Sequence, residues 1–182
     1  MFRAFFWLLI TIPSLAHSEI KQSQGYAIPN DSPLSFHRKH ALFENLYFNG
    51  EAKIFVYYEI KNQLLTVFPD HESIKLLPFL SNNTDTFKPD KISIKSVKWI
   101  QGNDSNQKSE LKMLIMKLST LGKKQKNHNG DDIIVGNAKI IIDNYYAGFE
   151  CDTPFFLAHI KEVVSATKET RYIAKTNSDG CK

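Results

Sequence analysis

Residues 53–60 read KIFVYYEI, which is β-branched and aromatic with no glycine or proline, and this is the clearest strand in the chain. Lys61-Asn62-Gln63 turns the chain and Leu64–Phe68 (LLTVF) returns it, so a hairpin is predicted, ending at Pro69-Asp70.

On the C-terminal side, Asp70 is placed to accept from the free N–H groups of a short helix over Glu72–Leu77, which Pro78 stops. Residues 81–90 are loop by composition, and Ile92–Trp99 alternates as a half-exposed strand with a slip near Ser96. Leu111, Leu114, Ile115 and Leu118 recur at i, i+3, i+4, i+7, which predicts an amphipathic helix over 109–121 with Gly122 as its C-cap; a strand is the alternative. Gly122–Asp132 is a polar connection, Ile133–Val135 a short strand, and Ala138–Tyr146 (AKIIIDNYY) a second strong strand. Ala147-Gly148 bends that strand into Phe149-Glu150-Cys151, and Asp152-Thr153-Pro154 is turn chemistry. Phe155–Val164 has two readings. Thr153-Pro154 suits a helix start, whereas Phe156, Ala158, Ile160 and Val164 would line one strand face; strand is preferred because it pairs back on 138–150.

On the N-terminal side, Ala41–Phe48 is a first strand closed by the turn dipeptide Asn49-Gly50, and 19–40 is a flexible lead-in. The expected fold is therefore mainly β or α+β, an antiparallel sheet or sandwich of about six or seven strands with one or two short helices. Residues 41–182 form one globular domain.

The first eighteen residues carry an export signal: a positive start at Arg3, nine apolar or neutral residues from Ala4 to Ile12, and small residues at Ala16 and Ser18 that fit cleavage after Ser18. The apolar run is too short for a membrane-spanning helix, which needs about 20 residues. No later segment is apolar enough to span as a helix. The expected destination is the periplasm of a Gram-negative cell, otherwise the medium.

Cleavage removes only one charge, so the net charge of +4 falls to about +3. A balance this close to neutral argues against nucleic acid and against an acidic membrane surface. The lysines at 123, 124 and 126 have no interleaved aromatics on which bases would stack. The chain has two cysteines, Cys151 and Cys181, and in an oxidising compartment they read as one disulfide. Closing a loop of about thirty residues contributes roughly 3–4 kcal/mol in the chain-entropy account.

Five side chains are the candidates for function. His37 and His40, spaced i, i+3, would share a helical face as zinc ligands, but no third ligand stands at a recognisable spacing. Asp70 and His71 bring an acid and an imidazole together, with helix capping as the plainer role. His159 lies on the 155–164 segment and is the fifth. Asn127–Asp132 is oxygen-rich but does not match a calcium-loop spacing. Asp143, Glu150 and Asp152 would need a separation of about 5–9 Å to act as a glycosidase pair. No cofactor or metal is expected, because no phosphate loop, glycine fingerprint or nucleophile elbow is present in the sequence.

The expected function is an exported binding or inhibitory, immunity-like module of the cell envelope without catalytic activity, its partner an envelope protein or polymer. The alternative is a small exported hydrolase acting on an envelope polymer, which requires that histidine and carboxylate groups converge in one pocket. A third expectation is a surface-assembly subunit recruited through an unpaired edge of strand 53–60.

Overall fold

A computed structural model of the chain describes residues 21–23, 25–40, 45–81, 85–95 and 108–168. Among these residues the elements are β1 Lys21–Ser23, β2 Gly25–Ile28, β3 Ser35–Lys39, β4 Leu46–Asn49, β5 Ala52–Lys61, β6 Leu64–Pro69, α1 His71–Ile74, β7 Phe79–Ser81, β8 Thr86–Phe87, β9 Ile92–Ile94, α2 Lys108–Leu121, β10 Lys123–Lys126, β11 Asp132–Glu150 and β12 Thr153–Thr167. The fold is mainly β with two short helices, as expected, but twelve strands are described where six or seven were expected. The signal segment, much of the 41–48 and 92–99 stretches and Cys181 lie outside the described residues.

The β5–β6 hairpin forms as read, with Lys61 opposite Leu64. Its two-residue loop places Asn62 and Gln63 at φ 48° and 63°, a left-handed pair whose twist suits a tight hairpin. Along β5, Ala52, Ile54, Val56, Tyr58 and Ile60 are buried in strict alternation. The far side of β5 pairs with β11 from Ala52 to Ile60. Both sides of strand 53–60 are thus taken, which corrects the expectation that it offers an edge. Among the described residues of the large sheet, the outer strands β3 and β10 carry His37-Arg38-Lys39 and Lys123-Lys124, and charge of this kind discourages edge-to-edge pairing.

The ladder closes on itself: β11 pairs with β5, β5 with β6, β6 with β9, β9 with β12, and β12 with β11. Five strands form this ring. An odd ring cannot alternate direction throughout, so one pair must be parallel, and here it is β9 with β12. The sheet is therefore mixed rather than purely antiparallel. Ile54, Val67, Ile92, Ile140, Ile142 and Ile160 fill its interior at 5 % exposure or less. The amphipathic helix is borne out: α2 buries Ile115 and Leu118 against this core and ends where the Gly122 N–H donates to the Leu118 carbonyl at 2.9 Å.

The 155–164 segment is a strand, as preferred, and pairs with β11 along its length. The turn is Cys151-Asp152, with φ 48° and 60°, and Thr153 and Pro154 already belong to β12. The two strands expected at 133–135 and 138–146 are one strand of 19 residues. Gly136 lies between the two stretches and does not interrupt the strand. Its role is packing: a Cβ there would lie 2.6 Å from the Tyr58 phenol oxygen, so glycine makes room for the ring.

Beyond β5, strand β11 continues and pairs with β4 at Tyr145–Ala147, and β4 pairs with β3. A second sheet, ordered β1-β2-β7-β8, covers one face of this extension. Tyr26 stacks on Phe36 at 4.9 Å, and the Tyr145 hydroxyl donates to the Pro78 carbonyl at 2.9 Å. The stretch 19–40, read as a lead-in, thus supplies three strands and the buried Ala27 and Leu34. None of the described helices is long and apolar enough to cross a membrane.

Candidate functional site

Asp143 on β11 and His159 on β12 are direct cross-strand partners. The imidazole Nδ1 lies 2.7 Å from Asp143 Oδ1, and the two side chains are only 21 % and 23 % exposed. An ionised carboxylate there holds the proton on Nδ1 and leaves Nε2 as an acceptor. His159 lines a cleft of about 580 Å³ between α2 and β12, with Leu111 and Leu114 on the helix side and Ile160 and Val163 on the strand side. Glu110 and Lys117 stand at the same cleft. Next to it Lys161 pairs with Glu51, whose carboxylate raises the lysine above its ordinary value. An imidazole oriented by a carboxylate is suited to proton transfer. Among the described residues of the cleft wall there is no serine, threonine or cysteine.

The other sequence candidates are not brought to this place. His37 lies exposed on the edge strand β3 and His40 just beyond it, so the helical face they would share does not exist. Asp70 caps α1: its Oδ1 accepts from the Ser73 N–H at 2.8 Å. His71 is exposed and lines a separate hollow of about 830 Å³ between α1 and the small sheet, near Asp31 and Lys88. Glu150 and Asp152 are exposed at the hairpin tip. Asp143 lies seven residues before Glu150, roughly 20 Å along the strand, too far for a carboxylate pair. In the 127–131 loop, Asn127 Oδ1 accepts from the N–H groups of Asn129 and Asp131 at 2.9 Å each. Asp131 Oδ2 receives Lys61 Nζ at 2.5 Å, and that hydrogen bond with the one from Asn127 lowers the carboxyl pKa. These oxygens are spent on the loop itself and on a lysine. Among the described residues no three potential metal-binding side chains cluster.

A second feature was not read from the sequence. On the face of the extension opposite the small sheet, Arg38, Tyr47, Tyr146 and Phe155 form a row across β3, β4, β11 and β12. The Arg38 guanidinium lies 4.8 Å from the Tyr47 ring centre. Tyr47 meets Tyr146 at 4.7 Å with the planes at 67°, and Tyr146 meets Phe155 at 5.5 Å and 34°. Register explains the row, since Tyr47 opposes both Arg38 and Tyr146. Phe48, Tyr145 and Phe156 alternate to the opposite, buried face. Gly148 keeps the row in place, because a Cβ there would run into the Asn45 carboxamide and come within 2.9 Å of the Phe155 ring. Burial, then the Tyr47 charge and hydrogen bond, push the Tyr146 phenol up to about 12.

Tyr146 and Phe155 lie close together in the sequence, whereas Arg38 and Tyr47 lie 108 and 99 positions before Tyr146, and only strand pairing joins them. The chain matches no known protein family, no curated protein and no solved structure.

Proposed function

We propose that this chain is an exported binding module of the cell envelope, inhibitory or immunity-like, which contacts a protein partner through the Arg38–Tyr47–Tyr146–Phe155 row. The observation that supports it most is that row itself: two tyrosines, a phenylalanine and an exposed arginine on a rigid sheet face opposite the covered one. Tyrosine and arginine are the side chains that dominate the energetics of protein interfaces. The rings stand at 67° and 34° to their neighbours, so they offer no common plane for a sugar polymer and suit an irregular protein surface better. The export signal and the Cys151–Cys181 disulfide belong to the same reading.

The test is a photo-crosslinking amino acid at position 47, with a second at position 124 on β10 as control. One defined protein should couple through 47 and not through 124. Its affinity should fall about 30-fold or more with Phe155→Ala or Arg38→Ala, as for an interface hot spot. Equal coupling from both positions, or capture of polysaccharide alone, would falsify the proposal.

A hydrolase is the second reading, and the Asp143–His159 dyad at the cleft favours it. It requires that His159→Gln and Asp143→Asn abolish turnover of an envelope polymer in a folded protein, while His71→Ala leaves it intact.

A further inference from the structure

We infer that the hollow between α1 and the outer face of the small sheet is a binding site for a small aromatic carboxylate. It shares no lining residue with the Arg38–Phe155 row or with the Asp143–His159 cleft, so it is a site of its own.

Alternation along the small sheet makes the floor. Tyr26, Leu80 and Phe87 occupy neighbouring cross-strand positions and turn inward against the core. Ala27, Phe79, Ser81 and Thr86 follow or precede them by one residue and therefore turn outward, and all four line the hollow. Ala27 pairs with Phe79, and continuing the β7–β8 register by one rung brings Lys88 opposite Phe79. Phe79 is thus flanked by a side chain too small to cover its ring and by a lysine, and it stays half-buried on the outer face.

Helix α1 makes the wall. His71, Ile74 and Lys75 stand at i, i+3, i+4, which puts them on one helix face, and all three line the hollow. The other side of the helix is held: Asp70 caps it, and Ser73 Oγ accepts from the Phe55 N–H at 2.8 Å. The wall is therefore fixed to β5.

The chemistry of the lining selects the ligand. The volume of about 830 Å³ lies in the range of small-molecule sites, roughly 300–1,000 Å³, which are mostly apolar with a few placed polar groups. Ala27, Pro29, Ile74 and Phe79 supply the apolar part, and Phe79 offers a ring on which an aromatic body can pack. Lys75 is already paired with Glu72 at 2.7 Å, so Lys88, assisted by the His71 ring, is the cation left to meet a carboxylate. Asp31 is the one carboxylate among the described lining residues. It follows β2, two strands away from Lys88, which is about 10 Å at the usual strand spacing. An anionic group is attracted at the β8 end and repelled at the β2 end, with the apolar floor between.

The experiment titrates full-length protein with 2-naphthoate and with its uncharged analogue 2-naphthylmethanol, by calorimetry and by amide NMR. Naphthoate should bind with a Kd below about 1 mM. The alcohol should bind at least about tenfold more weakly, since it lacks the charge-assisted contact. Shifts should centre on Ile74, Phe79 and Thr86 and spare Leu111 and Tyr47. Lys88→Glu, a change at an exposed position, should weaken naphthoate about tenfold and leave the alcohol within about twofold, a difference that a merely structural role for Lys88 would not produce. The inference falls if naphthoate does not bind at 1 mM (roughly the weakest affinity such a site should show), if the alcohol binds as well, if Lys88→Glu weakens both alike or neither, or if the shifts centre elsewhere. A photo-crosslinking amino acid at position 86 that couples to a protein or to a second copy of the chain would also overturn it, because the hollow would then be part of a protein interface.

Discussion

The Tyr58 hydroxyl donates to the Leu118 carbonyl at 3.0 Å, and its ring lies where any side chain at Gly136 would be. One residue of the β5 strand therefore positions the last turns of α2 and dictates a glycine on β11. The same carbonyl also accepts from Gly122, so loss of the phenol does not orphan it. Tyr58→Phe should cost only about 1 kcal/mol in urea unfolding. Gly136→Ala should cost about 1–3 kcal/mol through overpacking. A neutral Gly136→Ala would show that the ring has room to move.

The single-turn helix α1 is stitched to β5 at two points. Asp70 caps it, and the Phe55 N–H donates to Ser73 Oγ at 2.8 Å with Ser73 buried. Asp70→Ala should cost about 1 kcal/mol as a lost cap. Ser73→Ala should cost about 1–3 kcal/mol, because it leaves a strand N–H without its partner. Chemical denaturation of both variants measures the difference, and a larger effect for Asp70→Ala would contradict it.

Asp143 and His159 should behave as one unit in a double-mutant cycle. The coupling expected between Asp143→Asn and His159→Gln is about 1–3 kcal/mol, since the pair is charge-assisted and mostly buried. Additive effects would mean that the two side chains contribute independently.

Alkaline pH should weaken the fold through Tyr146. Its phenol is raised from 10.0 to about 12, so the folded state keeps the proton that the unfolded chain gives up. The associated stability is full below the ordinary phenol value and is lost as pH rises through the window from 10.0 to about 12. Tyr145 and Tyr58 are raised too, by burial, and act in the same direction. Tyrosinate absorbance should show late-titrating groups, and Tyr146→Phe should flatten the decline of stability across that window. A slope unchanged by Tyr146→Phe would place the effect elsewhere.

Where local chemistry was sufficient, the elements could be read directly. The alternation of 53–60, the 3.6-residue spacing of Leu111, Leu114, Ile115 and Leu118, and the capping reach of Asp70 all reappear in the fold. Misreadings arose where a residue's neighbour was distant. The stretches 133–135 and 138–146 were read as two strands, and the packing role of Gly136 between them depends on Tyr58, 78 positions earlier. The polar run at 123–126 looked like a connection, although backbone pairing with β11 makes it an edge strand. Among the site candidates, His159 was legible as an unusual residue on a strand, but its partner was not. Bulges between Lys139 and Tyr146 reset the register that brings Asp143 opposite it.

The amino-acid order alone determined the β-rich class, the central hairpin and the amphipathic helix, because periodicity and turn chemistry act over a few neighbouring residues. The closed ring with its obligatory parallel pair, the carboxylate behind His159 and the row from Arg38 to Phe155 were decided by tertiary structure. These depend on which strands lie side by side and in what register, and that is set by burying the core of the whole chain rather than by any local stretch.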